Sequence, residues 1–499
     1  MKHEKLAQAL NEISEKHIEE VTHSKKRRLP RWVGSVAAVL ALVVAASCIL
    51  PLLQESAQED PQLSGGGTQP TSPLFHREPV TYRYLAAKAE YPKMCAYPTE
   101  EEMMNDMAPY SQWRDDQDKF HRQPEGYADS LEGYFAGLIP TLLSGQEGAN
   151  AVCSPLNIYM ALAMLAEITD GQSRQQILEL LKADTMEALR TQATQVWQAH
   201  YNDDGLSKSI LGSSLWLDDA AAYNEDTAKL LAEHYYASVF RGDLGSEAMN
   251  EDLRSWINEQ TDGILRQQAE ELELSPESIL ALATTICYQA QWQDEFQAEL
   301  NTAGTFHSTA GDKDVTYMNR ELSFGPYFWG EHFGAVYVTL KDGSRMWLIL
   351  PDEGYAPEDI LEESAAFLSQ NPALYDSGYE NTKNVQVNLS LPKFDVSAST
   401  ELSNTLKKLG VTDVFSGSKA DFSPIFPEED GGCVSKVTHA ARVKIDEEGV
   451  TAAAFTTILY AGGCPPQGEE VDFVLDRPFL FYVESPDLLP LFAGIVNQP

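Results

Sequence analysis

Apolar positions change their spacing several times along the chain, and the changes divide it. From Trp32 to Leu53 no residue is charged and no polar face recurs, which predicts a helix apolar on every side. Its 22 residues would rise ~33 Å, enough for one membrane span. In "QESAQEDPQLSGGGTQPTSP", residues 54–73, periodicity gives way to Gly, Pro and Ser, the mark of a flexible stalk. Residues 74–117 carry enough aromatics for partial order, and no role is legible in them. From about Asp118, "YADSLEGYFAGLIPTLLS" and "SPLNIYMALAMLAEITDGQSRQQILELL" set apolar residues three and four apart, as helices do. Asp129 or Ser130 is the expected cap of the first, and Ser154 followed by Pro155 opens the second. Later, "MWLILPDEG", "VQVNLSLPKF", "RVKIDEEG" and "FVLDRPFLFYV" are short β-branched and aromatic runs of period two, and they predict strands. "ELSNTLKKLGVTDVF" is a helix stopped by Gly410. Helices dominate the first half and strands the second, so residues 118–499 predict an α+β domain rather than alternating βαβ units.

Charge sharpens this division. Lys25, Lys26, Arg27, Arg28 and Arg31 precede the apolar run, which puts the leader 1–31 in the cytoplasm and everything after Leu53 outside the cell membrane. "VAASC", ending at Cys48, is a poor bacterial lipoprotein cleavage box: the leader is long and Ala45 stands where Leu is usual. An uncleaved single-pass anchor at 32–53 is therefore expected, on a bacterial surface. The net charge of −39 repels phosphate backbones and argues against a nucleic-acid partner. Six cysteines are scattered without a CxxC pair, so neither a zinc site nor a disulfide scaffold is suggested.

A search for catalysis is negative. The chain lacks G-x-S-x-G, H-E-x-x-H, a P-loop and G-x-G-x-x-G, and no metal or cofactor is expected. His332 beside Glu331, and His439 in "VSKVTHAARV", are isolated imidazoles. A lone histidine on a mostly apolar strand is more often a hydrogen-bonded core residue than a base, since base catalysis needs a nucleophile and an orienting partner. One stretch stands apart. In "DEEGVTAAAFTTILYAGGCPPQGEE" the twenty residues from Gly449 to Gly468 carry no charge, between two acidic clusters. As a strand, one face would hold Val450, Ala452, Ala454, Thr456, Ile458 and Tyr460, and the other Thr451, Ala453, Phe455, Thr457 and Leu459. Neither face is charged, as a strand buried on both sides requires.

"NAVCSPLNIYMALAMLAEITDGQSRQQI", "TICYQAQWQDEF", "LPKFDVSASTELSNTLKKLGVTDVF", "VSKVTHAARVKIDEEGVTAAAFT", "DRPFLFYV" and "LFAGIVNQP" resemble, in order and spacing, the signature blocks of serpins. The resemblance covers residues 118–499. It implies three β-sheets, eight or nine helices and an exposed reactive loop over about 447–470. It also implies a monomeric, non-catalytic protein that traps a protease as a covalent acyl-enzyme while the cut loop inserts into the main sheet. Glu447, Glu448 and Gly449 match the family's hinge, and Val450, Thr451, Ala452, Ala453 and Ala454 match the small-residue run of inhibitory members. Gly449 is expected to supply backbone freedom there. Ser154 and His439 match a hydrogen-bond cluster under the opening sheet, and Trp292 matches the tryptophan at its top. Asn157 stands where the family often has Ser, and Thr284 where it often has Asn; a swapped amide and hydroxyl could satisfy one network.

Counting from Glu447 by the family's usual spacing puts the cut at Gly463–Cys464, with Gly462 and Ala461 next in line. Small residues there suit an elastase-like or subtilisin-like serine protease, a papain-like cysteine protease being the other candidate. The competing reading is a non-inhibitory surface binding or adhesion protein on the same fold.

Overall fold

A computed structural model of the chain describes residues 80–145, 148–276, 278–374, 377–428, 432–434, 437–450 and 469–499. The leader, the span expected at 32–53, the stalk, and the loop from Thr451 through Gly463 and Cys464 lie outside the described residues. Among the described residues no helix is long and apolar enough to cross a membrane.

The helices are α1 (Glu100–Asn105), α2 (Ala108–His121), α3 (Leu131–Leu143), α4 (Pro155–Glu167), α5 (Gly171–Leu180) and α6 (Met186–His200). They continue as α7 (Glu225–His234), α8 (Glu247–Gln260), α9 (Arg266–Glu270), α10 (Leu361–Ser369) and α11 (Ser403–Lys408). The strands begin with β1 (Leu85–Ala87), β2 (Ala151–Cys153), β3 (Asn202–Asp203), β4 (Ser207–Asp218), β5 (Ala237–Gly242) and β6 (Leu280–Gln291). Next come β7 (Thr302–Ser308), β8 (Gly311–Trp329), β9 (Phe333–Thr339), β10 (Arg345–Pro351), β11 (Thr382–Pro392) and β12 (Phe394–Glu401). The last are β13 (Thr438–Ile445), β14 (Gly449–Val450), β15 (Glu470–Val474), β16 (Phe479–Glu484) and β17 (Pro490–Val496).

The local chemistry of several ends is that of the sequence. Ser154 caps α4 by accepting from the Asn157 N–H at 3.2 Å, with Pro155 in the first turn. Gly410 follows α11 at φ +100°, a conformation that favours glycine. Ser130 occupies the cap position of α3 but makes no capping bond; its hydroxyl accepts from Gln192 Nε2 at 2.8 Å instead.

The strands form two hydrogen-bonded sheets among the described residues, not the three expected. One runs β1-β5-β4-β6-β14-β13-β12 with β3 on β4; the other runs β15-β11-β8-β9-β10-β16-β17-β2 with β7 on β8. The cause is β8, whose 19 residues pair with β7 at one end, with β11 from Tyr317 to Phe328 and with β9 at the other end, so that pairing never breaks between two halves. Eleven α-helices are described, nine of them after Ser130, the other two belonging to the amino-terminal extension.

Two apolar clusters hold the layers. The larger packs α3, α4 and α6 against the inner face of the first sheet and against the second sheet. The smaller lies on the outer face of the first sheet, where Trp216, Phe240, Ala281, Ala283 and Ala440 meet Met249, Leu253, Trp256 and Ile257 of α8.

The extension is part of this body. Tyr82, Tyr84 and Leu85 join the outer cluster, β1 adds an edge strand beside β5, and Tyr91 lies against Trp197 and Tyr201. Helix α2 runs through residue 118, the start of the domain that the sequence pattern predicts.

Candidate functional site

The first sheet carries a seam. β14 pairs antiparallel with β6 (Gly449 opposite Gln291, Val450 opposite Ala290) and with β13 (Ile445 opposite Val450), so β6 and β13 run parallel to each other. Beyond this two-residue strand no ladder joins β6 to β13 among the described residues. Their facing edges are those a longer β14 would use.

A tight turn delivers the chain into the seam. The Asp446 N–H donates to Gly449 O at 3.1 Å, and Asp446 Oδ1 accepts from the Glu448 N–H at 3.1 Å. Three successive carbonyls are then captured from one side. Trp292 Nε1 donates to Asp446 O at 2.9 Å, the Phe296 N–H to Glu447 O at 3.0 Å, and the Trp292 N–H to Glu448 O at 2.9 Å. Trp292 is fully buried, its ring 5.8 Å edge-on from Phe296.

Glu447 is fixed by its side chain as well. Its Oε1 lies 2.5 Å from Lys393 Nζ and accepts from Asn301 Nδ2 at 2.5 Å. Burial pushes its carboxyl up, yet the bonds from Lys393 and Asn301 outweigh that and hold it below the usual range.

Gly449 serves a different purpose from the one expected. Its φ is not in the left-handed region. A Cβ there would sit 2.2 Å from Ala290 O and 2.8 Å from Gln291 Cα. Close approach to β6, rather than backbone freedom, is what requires glycine. Val450 follows, 1% exposed on the inner face.

Under the sheet, His439 of β13 and Ser154 at the start of α4 come together: the Ser154 N–H donates to His439 Nε2 at 2.9 Å. Burial pushes the imidazole down to about 4, leaving it neutral at pH 7. A small cavity beside it is lined by Leu142, Val152, Cys153, Ala398, Thr400 and Leu402, with no carboxylate. Asn157 and Thr284 make no shared network: no hydrogen bond joins them among the described residues. Asn157 is wholly buried and both polar atoms of its amide lack a partner among the described residues. Two such atoms raise the free energy of this state, each by about 1–3 kcal/mol. Thr284 is half-buried on β6, opposite Ser213, whose hydroxyl also has no partner among the described residues.

Sequence reasoning missed Lys393, Asn301 and Phe296. Lys393 lies inside "LPKFDVS" and Phe296 inside "TICYQAQWQDEF", but nothing along the chain ties them to Glu447; Asn301 is 146 positions away from it. The other isolated imidazole, His332, sits with Nδ1 3.1 Å from Glu363 Oε2. Its Nε2 faces a second carboxylate, Glu331 Oε1, at 3.8 Å.

Residues 135–499 match the family described as serpin (serine protease inhibitor), so the chain belongs to the serpin family. It is 26% identical over 367 residues to Serpin-ZX of Arabidopsis thaliana, covering 71% of this chain and 93% of that one. It is 27% identical over 382 residues to leukocyte elastase inhibitor A of Mus musculus, covering 72% and 96%. Among solved structures it resembles the thermophilic serpin tengpin in its native state, with a TM-score of 0.66 and 24% identity over 76% of this chain and 95% of that one. It also resembles human thyroxine-binding globulin, with a TM-score of 0.64 and 21% identity over 75% and 98%. These likenesses establish the fold.

Proposed function

We propose that the chain is an extracellular, membrane-tethered suicide inhibitor of a serine protease. The observation that carries the reading is the seam: a two-residue strand already seated between β6 and β13, followed in sequence by an uncharged run suited to burial on both faces. Continuing that register would set Ala454 opposite Ile286 and Ala441, and Thr456 opposite Thr284 and His439. The inner face would then receive Val450, Ala452, Ala454, Thr456 and Ile458, as small and neutral a series as the space demands.

The chemistry is the protease's own. Its serine Oγ attacks the carbonyl carbon of Gly463, the Gly463–Cys464 bond breaks, and the Cys464 amine leaves with a proton, so an ester joins Gly463 to the protease. The freed amino-side segment enters the seam before water reaches the ester. About fifteen residues at ~3.3 Å would carry the protease ~50 Å. Ten or so new backbone bonds at ~1 kcal/mol each, with apolar burial added, give a drive on the order of 10 kcal/mol or more. Ala461, Gly462 and Gly463 suit a shallow pocket, as in elastase-like or subtilisin-like enzymes; one relative's name, leukocyte elastase inhibitor A, points the same way. The apolar run 32–53 behind its basic cluster is the tether.

The test is to incubate the full chain, in detergent micelles, with an elastase-like protease. A complex that survives boiling in dodecyl sulfate, and a released fragment beginning at Cys464, are expected. Cleavage without complex would favour the alternative, a non-inhibitory surface binding or adhesion protein.

A further inference from the structure

The register of the first sheet tells its two ends apart, and the amino-terminal extension joins one of them. Arg241 of β5 lies opposite Leu217 of β4, which lies opposite Leu280 of β6. One step further, Gly242 is opposite Asp218, whose N–H donates to Ile279 O at 3.1 Å. The extension enters at this level. The Tyr84 carbonyl accepts from the Arg241 N–H at 2.8 Å, and the Tyr84 ring is so close to Gly242 that a Cβ there would meet its Cδ1 at 2.6 Å. The Tyr82 ring stands edge-on to Phe240 at 5.4 Å. From there β1 runs antiparallel to β5, away from the Leu280 end. The hinge occupies the other end, with Gly449 opposite Gln291 and Val450 opposite Ala290. From Leu280 to Ala290 is ~33 Å at ~3.3 Å per residue.

A strand inserted beside β6 in the register of Val450 on Ala290 would set Tyr460 opposite Leu280. Gly463 and its ester would then stand three residues, ~10 Å, beyond that end. Between the inserted strand and β1 lie β6, β4 and β5, so the two are four interstrand spacings apart, ~19 Å at ~4.8 Å each. A protease of ~230 residues has a radius of gyration of ~17 Å, hence a radius of ~22 Å. Joined through its serine at the end of the inserted strand, a body of that size reaches the segment Val80–Tyr84. The surface it meets is open: Thr81, Arg83, Asp219 and Ala220 are exposed, and Ile279 at the foot of β6 is a large apolar side chain left 37% exposed.

We propose that this end of the first sheet, formed by Ile279, the turn at Asp219 and Ala220, and the entry segment Val80–Tyr84, is the surface on which the captured protease comes to rest. The proposal rests on the insertion reading given above. The hinge lies at the end of the sheet far from the point where the chain from the anchor enters, and capture brings the enzyme to the near end. There its bulk covers the entry segment. An extension joined at the hinge end would do the reverse and leave the trapped enzyme at the far end from its attachment.

The experiment uses the full chain in detergent micelles with two enzymes, an elastase-like serine protease and a zinc metalloprotease that cuts the same loop. The second hydrolyses with a metal-bound water, forms no ester and departs, so it leaves an inserted sheet without a passenger. Hydrogen exchange is compared between the loop-cut chain and the covalent complex. Amides from Val80 to Leu85 and from Asp219 to Ala221 should exchange about five-fold more slowly in the complex, while those of β11 and β15 in the second sheet exchange equally in both. A functional readout follows from bulk. A compact domain spliced directly between Pro79 and Val80 obstructs the resting place; because linkage and escape are set by a ratio of two rates, the share of chain cut without being linked should rise about three-fold. The same domain on a ~30-residue Gly/Ser linker, free to swing aside, should leave that share as in wild type. A boil-resistant complex whose Val80–Leu85 exchange matches the loop-cut chain, or undiminished trapping by the directly spliced chain, would overturn the proposal. Failure of the inhibitory reading shows separately, as a wild-type chain that forms no complex and gains no heat resistance when its loop is cut, and it removes the ground of the proposal as well.

Discussion

Replacing His439 by glutamine should remove a measurable part of the chain's acid sensitivity. The imidazole is neutral because burial among Leu142, Val152, Cys153 and Leu402 pushes it down to about 4, against ~6.5 in an unfolded chain. Between those values the unfolded state binds the proton and the folded state does not, so stability rises with pH there. Its contribution is whole above pH ~6.5, falls by about 1.4 kcal/mol per pH unit below that, and levels off near pH 4. From pH 7.5 to 4.5 the loss should be about 2.5 kcal/mol. Glutamine can still accept from the Ser154 N–H and does not titrate. The assay is the first urea transition of the intact chain, followed by near-ultraviolet circular dichroism at four pH values. The variant's midpoint should fall less than wild type's by the urea equivalent of that energy. His200 is pushed down by burial as well and adds the same trend to both proteins, so the difference between them is the quantity to read. Equal losses in the two proteins would refute the reasoning, for His439 would then carry its proton at the same pH folded and unfolded.

Three further outcomes are expected. Glu447→Gln weakens the pair with Lys393, and with side-chain exposures of 19% and 39% the loss should be only about 0.5–1 kcal/mol, shrinking in high salt, by urea titration. Because the Glu447 carboxyl is held low, its contribution is present above pH ~4.5 and lost below it, a slope the variant should lack. Gly449→Ala should unseat β14, since a Cβ meets Ala290 O at 2.2 Å; the Val450 amide should lose its protection against exchange, at a cost of about 2–3 kcal/mol. Asn157→Leu keeps the number and branching of the heavy atoms while removing two buried polar atoms that have no partner among the described residues, and should stabilise the intact chain by ~1 kcal/mol, slowing complex formation as it does so.

Local signals were legible wherever a short stretch carries its own reason. Ser154 and Pro155 open α4, Gly410 ends α11, and period-two runs at Arg345–Pro351 and Phe479–Glu484 are strands as their spacing predicts. Ser130 shows the limit of that method. Its place at the start of α3 is readable, but Gln192, 62 positions on, takes the hydroxyl that would have capped the helix. The sheet count failed for a related reason, since the reach of β8 across both halves depends on partners at either end and not on its own pattern.

By itself the sequence determined the α+β class, the order of the blocks by which the family is known, and a neutral run able to lie buried on both faces. Each of these is a property of neighbours along the chain, where side-chain period and charge act over a few residues. Only the tertiary structure decided that Glu447 meets Lys393 and Asn301, that Gly449 is needed for the approach of β6, that Asn157 is left without partners among the described residues, and that Arg442 meets the carbonyl of Ile264. Those contacts join residues tens to hundreds of positions apart, and packing of whole layers selects them from many that local chemistry would allow equally.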